Sequence, residues 1–192
     1  MHPILYRSSQ FFAAVVQSSD TLSLADKTWL GTILTTPAQQ QLFACMSPND
    51  QRHALAVAHT LQQVGQIDMA LHQAALLHDV GKSLGQPIIH RVLIVLLEAF
   101  WPRLLQRLSR GPSLVSTPPP TSHLSPLISH FSFLTPFIIH AQHPQIGAAW
   151  AEAAACEPLA VRLITRHQDQ IQVIFTPEEY LLTLLQWADN LN

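Results

Sequence analysis

The sequence predicts an all-α fold of about seven or more helices with an insertion in the middle. Helix punctuation recurs along the chain, with cap residues followed by first-turn prolines, as at Ser47-Pro48 and Thr176-Pro177. Apolar residues return at helical spacing, while the apolar-polar alternation of half-buried strands is nearly absent.

Residues 1–47 read as an N-terminal helical extension. Ser47-Pro48-Asn49-Asp50 then caps a helix that Gly65 ends. Asp68 caps the next helix, which carries Ala-Ala-Leu-Leu-His78-Asp79-Val-Gly81-Lys82 and breaks near Gly81. Pro87 begins a strongly apolar helix to about Phe100, and Pro102 kinks or restarts it. Gly111-Pro112 stops it, and Ser113 to Ser122, with Pro118-Pro119-Pro120, reads as an irregular linker. Thr135-Pro136, His143-Pro144 and Glu157-Pro158 each read as a cap followed by a first-turn proline. Thr176 with Glu179 adds a capping box, and the last helix runs to about Asn190. No internal repeat is visible. The chain therefore reads as one domain over 1–192, with its core at about 48–190 and an insertion at 87–135. The insertion is expected to add core packing and a surface loop, ahead of a substrate lid or partner surface.

Composition narrows the classes. A chain of 192 residues can bury a full core. It is 48% hydrophobic but only 11% charged, against about 25% in an average soluble domain. A net charge of -2 supplies no basic field, so no nucleic-acid partner is expected. Cys45 and Cys156 form no Cys-x-x-Cys and read as buried thiols in a reducing cytosol. Arg7 is not followed by a leader-like apolar stretch, and a cytoplasmic location is expected. The longest apolar run, Val92–Leu97, lies between Arg91 and Glu98 and is far short of the ~20 residues of a span, so no transmembrane segment is expected. A core or partner-facing helix is favoured over a peripheral membrane contact, with oligomerisation through the apolar insertion as one consequence.

Eleven histidines raise the question of metal ligation. His53 shares a helical face with Val57, Thr60 and Val64, whereas His59 lies about 120° round the helix, so His53 is the better inward ligand. His78 follows Leu71, Ala74 and Ala75 on one face. Asp79 is rotated by about 100°, so the pair can approach one metal from two angles or bridge two. Lys82, one turn on, could be a solvated helix-end charge or a cation for a phosphate oxygen. His143 is placed at a helix start, where backbone amides also favour anions. His167 closes the following helix, and Asp189 closes the last in line with Leu182, Leu185 and Gln186. His140 competes with His143, but Pro144 and Gly147 favour the latter.

In order, the chain reads Arg52-His53, His78-Asp79-x-Gly81-Lys82, His143-x-x-x-Gly147-Ala148, Arg166-His167 and Ala188-Asp189. This arrangement resembles the HD superfamily of metal-dependent phosphohydrolases over about residues 48–190, apart from the middle section. The resemblance implies an HD-type helical bundle. The six-ligand version is most similar to the two-metal branch, which includes dinucleoside tetraphosphate hydrolases, cyclic-dinucleotide phosphodiesterases and some di-iron oxygenases. By position it implies that His53, His78, Asp79 and Asp189 hold one metal. Asp79, His143 and His167 would hold a second, with Asp79 bridging. The chain departs from the pattern in two places. His78 and His143 are 65 positions apart, and Gln168-Asp169-Gln170 stands where the cyclic-dinucleotide enzymes carry Gly-Tyr-Pro.

Imidazole-carboxylate sites suit one or two divalent ions of Fe, Mn, Ni or Zn. A metal-bound water ionises near neutral pH, which removes the need for a separate serine or cysteine nucleophile. The expected activity is hydrolysis of a phosphoester or phosphoanhydride in a small phosphorylated substrate, a nucleotide or dinucleotide. Asp79 and Lys82 are the expected catalytic residues, and Lys82 with Arg166 would neutralise phosphate charge. Two alternatives use the same chain: a di-iron oxygenase on the same ligands, and a non-catalytic signalling or scaffold module. Retention of every ligand type argues against the scaffold.

Overall fold

Side-chain caps set most of the helix starts. The computed structural model describes residues 22–85, 88–120 and 133–192. Ser23 accepts from the Asp26 amide to start α1 (Leu24–Ile33), and Thr36 with Gln39 forms a capping box on α2 (Pro37–Ala44). Ser47 starts α3 (Pro48–Gln63) and Asp68 starts α4 (Met69–Leu77), each accepting from the amide three residues on. The chain turns at Gly65, whose φ of 80° is left-handed. A 3-10 turn, Val80–Leu84, follows α4. Next come α5 (Ile88–Phe100) and α6 (Pro102–Leu108), so Pro102 restarts the helix. The remaining helices are α7 (Thr135–Ala153), α8 (Pro158–Arg166) and α9 (Pro177–Leu191). Among the described residues there are nine α-helices and no strand. The all-α fold is as expected.

Of the five cap-proline readings, Ser47-Pro48 and Thr176-Pro177 carry side-chain caps and the other three do not. Thr135 begins α7 itself, after Leu134, with no side-chain cap. Glu157 takes the N-cap position of α8 with Pro158 first, as expected, but its side chain makes no cap bond; its backbone N–H donates to Gln73 Oε1 at 2.9 Å. His143-Pro144 does not start a helix at all, and lies in the interior of α7. A proline inside a helix removes one amide donor, which normally breaks or kinks it. Here the freed acceptor, the carbonyl of His140, takes the Nδ1–H of His143 at 2.7 Å. The side chain before the proline thus replaces the missing donor.

Seven helices share one core. Residues Ala70 to Leu77 of α4 are all buried, so α4 is the central helix and is apolar all round. Leu61, Ile146, Leu163, Ile164, Leu182 and Leu185 surround it, each with no exposed surface. Leu30, Ile33, Leu42 and Phe43 join the same cluster, so the described part of the N-terminal extension belongs to the core. A smaller cluster, Ile94, Leu97, Leu105 and Phe137, fastens α5 and α6 to α7. Residues 109–120 are irregular, with Leu114 buried and Thr117 accepting from Trp150 Nε1 at 2.7 Å. Cys45 and Cys156 are buried free thiols. The expected start at Pro87, the end of the linker at Ser122, and Arg7 lie outside the described residues.

The turn after α4 sits hard against α7. A Cβ on Gly81 would fall 2.2 Å from the His143 carbonyl oxygen and 2.9 Å from its Cα. On the facing side, a Cβ on Gly147 would meet Val80 Cγ1 at 3.1 Å. The two glycines let the backbones approach closely enough to bring His78-Asp79 and His143 together.

Candidate metal centre

Three histidines are oriented by backbone carbonyls that the helix geometry leaves free. His78 is the C-cap residue of α4, and its Nδ1 lies 3.0 Å from the Ala75 oxygen. His167 is the C-cap residue of α8, and its Nδ1 lies 2.7 Å from the Ile164 oxygen. The last carbonyls of a helix lack intrahelical partners, so each can accept from a side chain. His143 obtains the same arrangement inside α7 because Pro144 frees the His140 carbonyl. With Nδ1 donating, each ring in its neutral form carries its lone pair on Nε2. A bond of this kind from Nδ1 to a carbonyl fixes the tautomer of a metal-ligating histidine.

All three Nε2 atoms point toward Asp79. Its Oδ2 is 3.6 Å from His78 Nε2, and its Oδ1 is 3.3 Å from His143 Nε2 and 3.8 Å from His167 Nε2. Asp189, at the end of α9, places Oδ1 2.9 Å from His53 Nε2 and 3.5 Å from His78 Nε2. Two groups of ligand-type atoms result, His53–His78–Asp189 and Asp79–His143–His167. Within each group the atoms lie within 4.8 Å of one another. Asp79 joins the two, with one carboxylate oxygen toward each.

Burial differs between the groups. His78, Asp79, His143 and His167 are buried, whereas the side chains of His53 and Asp189 are 28% and 34% exposed. The open side of the site is therefore the His53–Asp189 side. Burial opposes charge on Asp79, but Lys82 and the His78 and His143 imidazoles outweigh it and hold the carboxyl well below its usual range. Burial likewise opposes charge on Asp189, which the His53 and His78 imidazoles beside it overcome. Desolvation pushes His167 down to about 3 and lowers His143, so both stay neutral, the state a ligand requires. His78 is pulled down by burial but lifted more strongly by the carboxylates of Asp79 and Asp189, to about 9. A cation at its Nε2 would take the place of that proton.

The polar atoms left over fit a cation. The buried Nε2 of His78 has no hydrogen-bond partner. His143 Nε2 and His167 Nε2 face each other at 3.2 Å, although both Nδ1 protons are already committed to carbonyls. Two lone pairs at that separation have no proton between them and need a positive charge beside them. Nitrogen and carboxylate donors in these two sets suit a divalent transition ion.

All six residues expected as ligands are brought together. Lys82 joins them, with Nζ 2.6 Å from Asp79 Oδ2. Arg166 lies elsewhere, on the surface, with Nε 3.0 Å from Asp169 and Nη1 3.0 Å from Glu178. His59 is bonded to Asp26 at 3.0 Å and stacked on Trp29, away from the six. His140 lends its carbonyl to the site, and its ring stays neutral because burial, then His143, pushes it down to about 4. One pair has no counterpart in the sequence reading. Buried Asp50, three residues before His53, accepts both Nη1 and Nη2 of Arg91 at 2.6 and 2.8 Å. It ties α5 to the ligand-bearing α3, and 41 residues separate the partners, so no local pattern announces it. His123 and His130 of the middle section lie outside the described residues. No family model, curated protein or solved structure matches this chain.

Proposed function

We propose that this chain is a metal-dependent phosphohydrolase of the HD kind. It would cleave a phosphoester or phosphoanhydride in a small phosphorylated substrate, a nucleotide or dinucleotide, using two divalent ions drawn from Fe, Mn, Ni or Zn. The observation that carries the reading is the division of Asp79, with Oδ2 toward His78 and Oδ1 toward His143 and His167. A carboxylate so placed is suited to bridging two cations. His53, His78 and Asp189 would complete one ligand set, and His143 with His167 the other.

Ions bound there would supply an acidified water and neutralise phosphate charge. The protein's own residues do the rest. The Nδ1 bonds of His78, His143 and His167 fix ring orientation before anything binds, so little reorganisation accompanies binding. Lys82 stands on the same carboxylate and can donate to a phosphate oxygen at the site. Arg166 would have to leave both Asp169 and Glu178 to do the same, which makes Lys82 the better phosphate contact. The half-exposed His53 and Asp189 mark the side from which substrate would enter.

A panel of nucleotides, dinucleoside polyphosphates, cyclic dinucleotides and simple phosphodiesters, assayed with each metal, tests the reading. Phosphate-bond hydrolysis that requires a divalent ion and is lost in Asp79→Asn supports it. Aerobic turnover of an alcohol or phosphonate without any such hydrolysis would replace it with oxygen chemistry.

A further inference from the structure

The outward side of α5 is apolar. On a helical projection Ile89, Val92, Leu93, Val95, Leu96 and Phe100 fall within about 160° of one another, while Arg91 and Glu98 lie on the other side. Ile89 is 75% exposed and Phe100 62%. At the junction with α6, Trp101 is also 62% exposed, with its ring 5.9 Å from that of Phe100. The stripe continues into a groove of about 380 Å³ lined by Ile89, Val92, Leu93, Leu96 and Phe133 around His90. A contiguous exposed apolar surface of this kind marks an interaction site.

The charges beside it are of one sign. Arg103, Arg107 and Arg110 are exposed, and among the described residues none of them forms an ion pair. Arg103 and Arg107 are one turn apart on α6, with buried Leu105 on the opposite side. Glu98 is the only acidic residue between positions 88 and 110. This local excess of positive charge contrasts with the chain's net -2. A two-fold dimer through this surface would face it with itself and bring both sets of arginines together.

We propose that the α5–α6 pair docks on an anionic lipid surface. The apolar stripe enters the headgroup-acyl boundary, Phe100 and Trp101 lead as aromatic anchors, and the three arginines meet lipid phosphates. This is a contact in the plane of the membrane. No single described helix is long and apolar enough to cross one. It also departs from the expectation that the apolar insertion is a core or self-association element. Among the described apolar side chains of α5, Ile94 and Leu97 are buried and Leu93 partly so, and Ile89, Val92, Val95, Leu96 and Phe100 are exposed.

The full-length protein is tested by co-sedimentation with phosphatidylcholine vesicles, with and without phosphatidylglycerol. Binding to the anionic vesicles that weakens with added salt is expected, with a blue shift in tryptophan fluorescence that Trp101→Phe removes. Arg103→Glu with Arg107→Glu should weaken binding at least about tenfold, since each basic residue near a bilayer contributes about 1 kcal/mol. Phe100→Ser with Trp101→Ser should abolish it. Both pairs are exposed, and circular dichroism verifies that the variants keep the fold. No binding by folded wild-type protein overturns the proposal, as does equal binding to neutral vesicles that the arginine changes leave untouched. Concentration-dependent dimerisation removed by Phe100→Ser and Trp101→Ser, without vesicle binding, overturns it in favour of a second copy.

Discussion

Asp79 is the residue on which the site turns. It is buried, carries Lys82 on Oδ2, and stands 3.3 to 3.8 Å from three imidazole nitrogens. Asp79→Asn keeps the volume but removes the negative charge and leaves one carboxylate oxygen where the site has two. Metal content measured by mass spectrometry should fall by at least one ion per chain, and hydrolysis should drop about 100-fold or more, the scale of losing one electrostatic contact to a transition state. Lys82→Met separates binding from chemistry. Metal content should persist while turnover falls, and unchanged turnover would remove Lys82 from the mechanism. The identities and order of the six candidate ligands were legible in the sequence, because residue type and helix punctuation carry them. Their orientation was not. The Nδ1 lock on His143 exists only because Pro144 lies inside α7, where the sequence pattern places a helix start.

At the scale of elements, the site depends on one close approach. Gly81 and Gly147 bring the turn after α4 against α7, and any side chain at Gly81 meets backbone. Gly81→Ala should cost about 1–3 kcal/mol in urea unfolding, as overpacking does, and should weaken metal binding by moving His143. The Asp50–Arg91 pair is the other joint. Asp50 is buried while Arg91 is a quarter exposed, so Arg91→Ala leaves a buried carboxylate without its partner and should lower stability by about 1–3 kcal/mol. Arg91→Lys should restore little, since an ammonium cannot form both bonds. The pair also predicts a pH dependence. Burial opposes charge on Asp50, but Arg91 outweighs it and depresses the carboxyl below its unfolded value of about 3.9. A depressed folded value gives stability that is complete above the unfolded value and lost as pH falls through the folded one. Wild-type stability should therefore decline below about pH 4 more steeply than that of Arg91→Ala, as followed by urea titration across that range. The caps at Ser47, Asp68 and Thr176 were legible because they are local; this pair was not, because its partners lie on different helices.

Across the whole molecule, six helices pack round α4 and leave its last turn as the meeting point of α3, α7, α8 and α9. The all-α class was readable from punctuation and helical spacing. The outward stripe on α5 was not, because a helix period does not say which of two apolar sides faces the core. Binding of divalent ions to the folded chain alone should raise its stability, by about 2.7 kcal/mol at a hundred times the dissociation constant. Thermal unfolding with and without a chelator measures this, and an unchanged midpoint would argue against a folded-state ion. The most direct test of the two-metal site is elemental analysis of the purified chain after reconstitution with Fe, Mn, Ni or Zn. The account predicts two ions per wild-type chain, and one in a His143→Ala, His167→Ala double variant that retains His53, His78 and Asp189. No stoichiometric metal in the folded wild type, or the same content in the double variant, would contradict it.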